Sequence, residues 1–454
     1  MHRTLVTAAL AGLFGTLVPV AAYAQASAAP TFTKDVAPIL YKNCTNCHRP
    51  GEIGPMPLIT YKDARPWAKS IATRIANGTM PPWHADPAHG QFLNDRSLKA
   101  ADREAILKWA NSGAPEGNPA DLPKPPAFTE GWQMGQPDAI FTMGEDYPIP
   151  SSGTIDYKFF EVPTNLTEDK WVQAVEVRPG ARAAVHHVIV YMRGEQTEPR
   201  QAAAPAGEGA ARPTPPFSFG QGMRRPADAP KPDKAPIEND RAPKRDPGAW
   251  LTGYAPGQSV RVYQPGTALK MPKGAVLTVA MHYTANGKET TDRTRIGVKF
   301  ASEPPKTEVL VVPLQTANFV LKAGSTDTRV DAEMTMNTDV TLWSALPHTH
   351  MRGKKWEVTA VYPVGRSELI LDVPRYDFNW QTDYIYKEPL LLPKGTKLKT
   401  SAWYDNSTAN KANPDPTKDV YWGDQTWEEM QFTAFTFSLP GRPSPTTAPG
   451  GANR

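Results

Sequence analysis

The sequence predicts a multidomain chain in which a helical N-terminal segment is followed by two β units. Its 454 residues suit about three domains at ~150 residues each. Forty-eight prolines favour a β-rich, loop-rich chain over a helical bundle, because proline breaks helix interiors. The apolar pattern also changes along the chain. Before about residue 120 it has helical spacing, and after it come short runs of β-branched and aromatic residues. An apolar content of 40% is enough for ordinary cores. A net charge of +4, with no basic helix or run, gives no reason to expect nucleic acid.

Residues 1–24 read as a secretory signal. Arg3 supplies the positive start, Leu5 to Val20 the apolar core, and Ala22-Tyr23-Ala24 the cleavage site. No later run is long and apolar enough to span a bilayer, so an exported, periplasmic protein without a membrane span is expected. The two cysteines, Cys44 and Cys47, share one motif and leave no structural disulfide to an exported chain.

That motif, Cys44-Thr45-Asn46-Cys47-His48, is the C-x-x-C-H signature of covalent c-type haem, with two thioethers and a proximal histidine. The following histidine and the helical context argue against a thioredoxin-like pair, and no second cysteine pair completes a zinc site. Phe32 to Tyr41 reads as an opening helix. Ser97 is a candidate cap for a closing helix through Ile106, Leu107 and Trp109, ended by Gly113 and Pro115. Met80, 32 residues beyond His48 in Gly-Thr-Met-Pro-Pro-Trp, is the candidate second iron ligand. His84 and His89 are alternatives, and Met56 stands too close to His48 for that role and reads as packing. Residues 25–120 resemble a class I cytochrome c domain, which implies an all-α fold.

A proline-rich linker, 121–144, leads into the first β unit, 145–305. Its strands include Tyr157 to Val162, Trp171 to Val177 and Val185 to Met192. A low-complexity insert, 196–248, interrupts this unit and is not expected to build a core. The second unit, 306–440, precedes a Pro/Gly/Thr-rich tail, 441–454, expected to be disordered.

Histidine pairs mark both units. In Leu346-Pro347-His348-Thr349-His350, side chains two apart on a strand share a face, so both imidazoles can chelate Cu, Zn or Ni. His186 and His187 are neighbours, which on a regular strand face opposite ways. They can share a metal only at a bulge or strand end, and spacing alone assigns one to the core and one to solvent. His282, in Leu277 to Tyr283, reads by itself as a buried, hydrogen-bonded histidine.

The order His-His, His-Tyr, His-x-His, Glu-Met resembles the copper monooxygenases typified by peptidylglycine α-hydroxylating monooxygenase and dopamine β-monooxygenase. The resemblance covers roughly 145–440. It implies two all-β sandwich, jelly-roll-like domains with one copper ion each. His186, His187 and His282 match the electron-storing site. His348, His350 and Met430 match the catalytic site, where O₂ meets a substrate C–H bond. The expected protein is thus a haem–copper monooxygenase of a small organic substrate, with electrons arriving through the haem from a periplasmic donor. Leu346 stands where the amidating enzymes carry arginine, and Phe432 and Ala434 where they carry asparagine and tyrosine. Peptide amidation is therefore not expected, and an uncharged or aromatic small molecule is.

Overall fold

The computed structural model describes residues 29–128, 131–194, 215–220, 226, 229, 248–257 and 260–439. The signal-like segment, the tail and most of the insert lie outside the described residues. Of the described residues, strand accounts for 38% and helix for 13%.

The expected all-α cytochrome c domain is not present as such. Helices before residue 112 are short: Phe32–Val36 running into Ala37–Asn43, then Tyr61–Ala64, Ala68–Ala76 and Ala100–Asn111. They bury Phe32, Leu40, Ile106 and Trp109 among themselves. The stretch between the last two helices leaves this cluster and joins the β body. Trp83 and Phe92 pack on a sheet core, the Leu93 N–H donates to the Ile385 carbonyl at 2.8 Å, and Asn94 Nδ2 donates to the Asp383 carbonyl at 2.7 Å. Pro81, Pro82 and Pro87 deny this stretch helical hydrogen bonds, and its aromatic residues find their partners in the sheet instead. The cap of the last helix also differs from expectation. Lys99 occupies that position without a side-chain bond, while the Ser97 N–H donates to Asp95.

The two β-sandwiches share a sheet. Its path runs Ala139–Thr142, Arg295–Phe300, Lys170–Arg178, Thr267–Met271, Thr307–Gln315, Phe432–Ser438, Val340–His348 and Tyr384–Leu392, with Val260–Val262 flanking Lys170–Arg178. The two halves join where Thr267–Met271 pairs in parallel with Thr307–Gln315. A four-stranded sheet (Lys158–Pro163, Val276–Tyr283, Val185–Arg193, Ala249–Tyr254) covers the first half over a core including Val172, Val190, Val279 and Val298. A five-stranded sheet covers the second half over Leu342, Trp356, Leu398 and Phe437. Ala139–Thr142, within the span read as linker, is already part of the long sheet.

The insert contributes to the second core. Phe217–Phe219 forms an edge strand against Met334–Met336, and the Phe217 ring lies 4.9 Å from that of Phe437. Among the described residues no helix is long and apolar enough to cross a membrane. Phe217→Ala is expected to cost about 3 kcal/mol in chemical denaturation, the usual scale for emptying a buried aromatic site.

Candidate metal centre

Val185–Arg193 pairs with Val276–Tyr283 in regular register from Arg193 to His187, where His187 faces His282. The next pair is Val185 with Tyr283, so His186 is the extra residue of a bulge. The bulge turns His186 toward its neighbour's side of the strand, contrary to the core-and-solvent division that spacing assigns. Donor atoms of His186, His187 and His282 lie within 4.8 Å of one another. Nδ1 of His186 and Nδ1 of His187 face each other at 2.9 Å. Two such nitrogens share one proton or turn both lone pairs to one cation. Tyr157 supports the group, its hydroxyl bonded to His187 Nε2 and its ring stacked 5.0 Å from His282.

His348 ends the strand Val340–His348, opposite Phe432, and His350 lies in the turn beyond it. Their ring centroids are 5.2 Å apart. The buried Glu429 carboxylate ties this turn to Met430, accepting the N–H groups of His350 (2.8 Å), Arg352 (2.7 Å) and Met430 (3.3 Å). Burial pushes its pKa up to about 7, against the pull of those bonds.

Sequence reasoning missed the loop that joins the two groups. Phe378 lays its ring 4.8 Å from His186 and 5.9 Å from His350. Gln381 donates from Nε2 to the Phe378 carbonyl (3.2 Å), which fixes its amide orientation. Its Oε1 therefore accepts from His348 Nδ1 at 2.8 Å, and its Nε2 also lies 3.3 Å from His187 Nδ1. The proton on His348 Nδ1 leaves the Nε2 lone pair for a metal. His350 follows the same logic, since its Nδ1 donates to the Glu428 carbonyl at 3.0 Å. No spacing signal marks Phe378 or Gln381, because each acts through a loop conformation.

The two histidine groups, which the resemblance sets in separate sites, therefore adjoin. His187 and His348 rings are 6.1 Å apart. Burial lowers the pKa of all five, to about 3 for His282 and about 4 for His348. Neutral imidazole is the ligating form. Among the described residues, His186 Nε2, His282 Nδ1 and His350 Nε2 are buried without a hydrogen-bond partner. The orphaned nitrogens of His186 and His282 lie in a group tight enough for a metal such as copper or zinc, and a thioether from Met430 beside His348 and His350 would favour copper.

Cys44, Cys47 and His48 lie on one turn, with the Cys47 and His48 N–H groups bonded to the Cys44 carbonyl. Both cysteines are free thiols, and burial pushes Cys44 up to about 12. His48 Nδ1 donates to the Met56 carbonyl at 3.1 Å, leaving Nε2 for an iron ligand. Two thiols and an imidazole Nε2 are the donor types that a covalent haem would take. Met56 also packs on the helical cluster. Met80 is half-buried, and the preceding Asn77–Thr79, with His84, line a cavity of about 830 Å³ shared with His186 and His282. His89 sits in the turn after Asp86.

A second cavity, of about 600 Å³, opens on the other side of the cluster, lined by His187, His348 and Met430 together with Leu346, Phe432 and Ala434.

No protein-family model and no curated protein matches the chain. Among solved structures, that of infectious bursal disease virus Gx strain is 9% identical over 69% of this chain and 76% of that one, with a TM-score of 0.18. The Gt strain of the same virus is 8% identical over 69% and 74%, at 0.19. A Paenibacillus xanthan lyase is 10% identical over 72% and 29%, at 0.16. Likeness at this level carries no argument about fold or function.

Proposed function

We propose that this chain is an exported haem–copper oxidoreductase that hydroxylates a C–H bond of a small organic substrate with O₂. The observation that carries this reading is the convergence of four buried histidines and the half-buried His186, all held neutral and three with orphaned ring nitrogens, beside a cavity of substrate size. His186, His187 and His282 would hold one copper, and His348, His350 and Met430 a second. Bound copper would supply O₂ activation, and a covalent haem the one-electron steps that feed it.

The chain's own residues prepare this chemistry. Gln381 and the Glu428 carbonyl hold protons on the Nδ1 atoms of His348 and His350, so both rings offer Nε2. Glu429 holds the His350 turn and Met430 at a common carboxylate. Arg96 lies between the haem motif and the cluster. It acts electrostatically on the Cys47 thiol, and its Nη2 donates to Thr382, the neighbour of Gln381, at 3.3 Å. This connection supports electron delivery from the haem motif to the histidines.

Copper counting on haem-loaded protein is expected to give two ions per chain with nitrogen-rich type 2 EPR signals. His282→Ala and His350→Ala should each lose one of them, and Gln381→Leu should weaken copper binding about tenfold in chelator competition. One ion or none in the parent protein would remove the two-site reading. Product formed under labelled O₂ should carry one atom of the label. Unlabelled product would indicate a dehydrogenase or reductase, and turnover unchanged in Met430→Leu would remove the catalytic assignment of that site.

Covalent haem should show in a pyridine haemochrome spectrum and vanish in the Cys44→Ala/Cys47→Ala double variant. Reduced haem should reoxidise faster when copper, O₂ and substrate are all present, and about tenfold more slowly in Arg96→Leu, the scale of a supporting contact beside a metal ligand. A reoxidation rate indifferent to copper would overturn the proposed delivery route.

A further inference from the structure

The floor of the 600 Å³ cavity can be read from strand register. Val340–His348 and Phe432–Ser438 are antiparallel, pairing His348 with Phe432, Leu346 with Ala434, and Ser344 with Thr436. Residues two apart share a face, so these three rungs form one surface. Four residues at ~3.3 Å each separate His348 from Ser344 by about 13 Å. One end of the surface is thus the His348 imidazole, and the middle is apolar.

The far end is polar and built by a third strand. In Val260–Val262 the Val262 side chain faces out, 60% exposed, so Arg261 points inward. Its Nη2 donates to Ser344 Oγ at 2.9 Å and to Thr436 Oγ1, and its Nη1 is ion-paired with Asp383. The Arg261 side chain keeps 17% exposure and lines the cavity together with Asp383, which is 3% exposed. A guanidinium has five N–H groups, and these bonds leave donors for a further acceptor. Its positive charge is already balanced by Asp383. At this end of the cavity a ligand group carrying its own charge would be left uncompensated, at high desolvation cost. The walls offer aromatic surface, with Trp250 stacked at 5.6 Å on Phe432 and in edge contact with Tyr191.

We propose that this cavity binds an uncharged aromatic molecule, whose hydrogen-bond-accepting oxygen is held by Arg261 and whose other end reaches His348 and Met430. Leu346, Ala434 and Phe432 set its width, and the 13 Å floor accommodates one aromatic ring with a short substituent. Only the identity of the reacting end rests on the monooxygenase reading, since occupancy of the cavity is independent of the chemistry.

The test is binding to the full-length, copper-loaded protein, read by tryptophan fluorescence and calorimetry. The probes are acetophenone, ethylbenzene, phenethylamine and benzoate, all of similar size. Acetophenone should bind about tenfold more tightly than ethylbenzene, the value of one charge-assisted hydrogen bond, and more tightly than either ion. Removing Arg261 alone would strand the Asp383 charge, so the informative variant is Arg261→Leu/Asp383→Leu, which removes both. It should bind acetophenone and ethylbenzene equally. Ala434→Phe, which fills the middle rung, should abolish binding of every probe while copper content stays unchanged. Tightest binding by phenethylamine would overturn the proposal and point to Asp424, which also lines the cavity and acts electrostatically on Tyr157, as the anchor. Equal binding of all four probes, or a preference for acetophenone that survives the double variant, would overturn it as well. None of these readings depends on turnover, so a failed oxygen-labelling experiment and a failed binding experiment remain distinguishable.

Discussion

The parallel pairing of Thr267–Met271 with Thr307–Gln315 is the constraint on which the rest of the structure depends. Two sandwiches joined by a linker could rotate against each other, and their histidines could lie at any distance. Here the backbone ladder runs unbroken from one half to the other. A sheet resists bending in its plane, so the end of Val340–His348 is held in a fixed relation to the four-stranded sheet that carries His187 and His282. The 6.1 Å separation of His187 and His348 follows from that shared ladder.

Burial then sets the chemistry of the cluster. Desolvation disfavours the imidazolium form, and each ring's neighbours are themselves histidines whose charges would repel. The rings are therefore stripped of their second proton by the fold itself. What remains to be decided is which nitrogen keeps the first one. The Gln381 amide and the Glu428 carbonyl settle this for His348 and His350 by accepting at Nδ1. The bulge at His186 plays the corresponding geometric part on the other side.

Much of the site's inventory was legible in the sequence, because the ligand motifs are contiguous. C-x-x-C-H and His-x-His stand out by spacing alone, and the five histidines singled out after residue 145 are the ones the fold gathers. The bulge was not legible, since it is a property of the register between strands some ninety residues apart. Phe378 and Gln381 were missed because a loop carries no periodicity. The helical segment was misjudged for a related reason. Its helical spacing is real, but Trp83 and Phe92 bury their rings in a sheet core that local pattern does not reveal. Likewise Phe217 lies in a stretch whose average composition hides one core strand.

The contact between Cys47 and the β body has a consequence for how the protein matures. Gly257 approaches so closely that a Cβ there would lie 3.3 Å from Cys47 Sγ and 2.7 Å from Arg96 Nη1. Its φ of +79° suits glycine in any case. Cys47 is thus half-buried, with chain more than two hundred residues downstream packed beside it. If a haem is joined to these cysteines, as proposed, its thioethers would form most readily before the chain around Gly257 has folded down beside Cys47. Under the proposed haem and copper content, assembly would have a direction, with the porphyrin before the metal ions. A chain that folds too quickly would narrow the approach to its own cysteine.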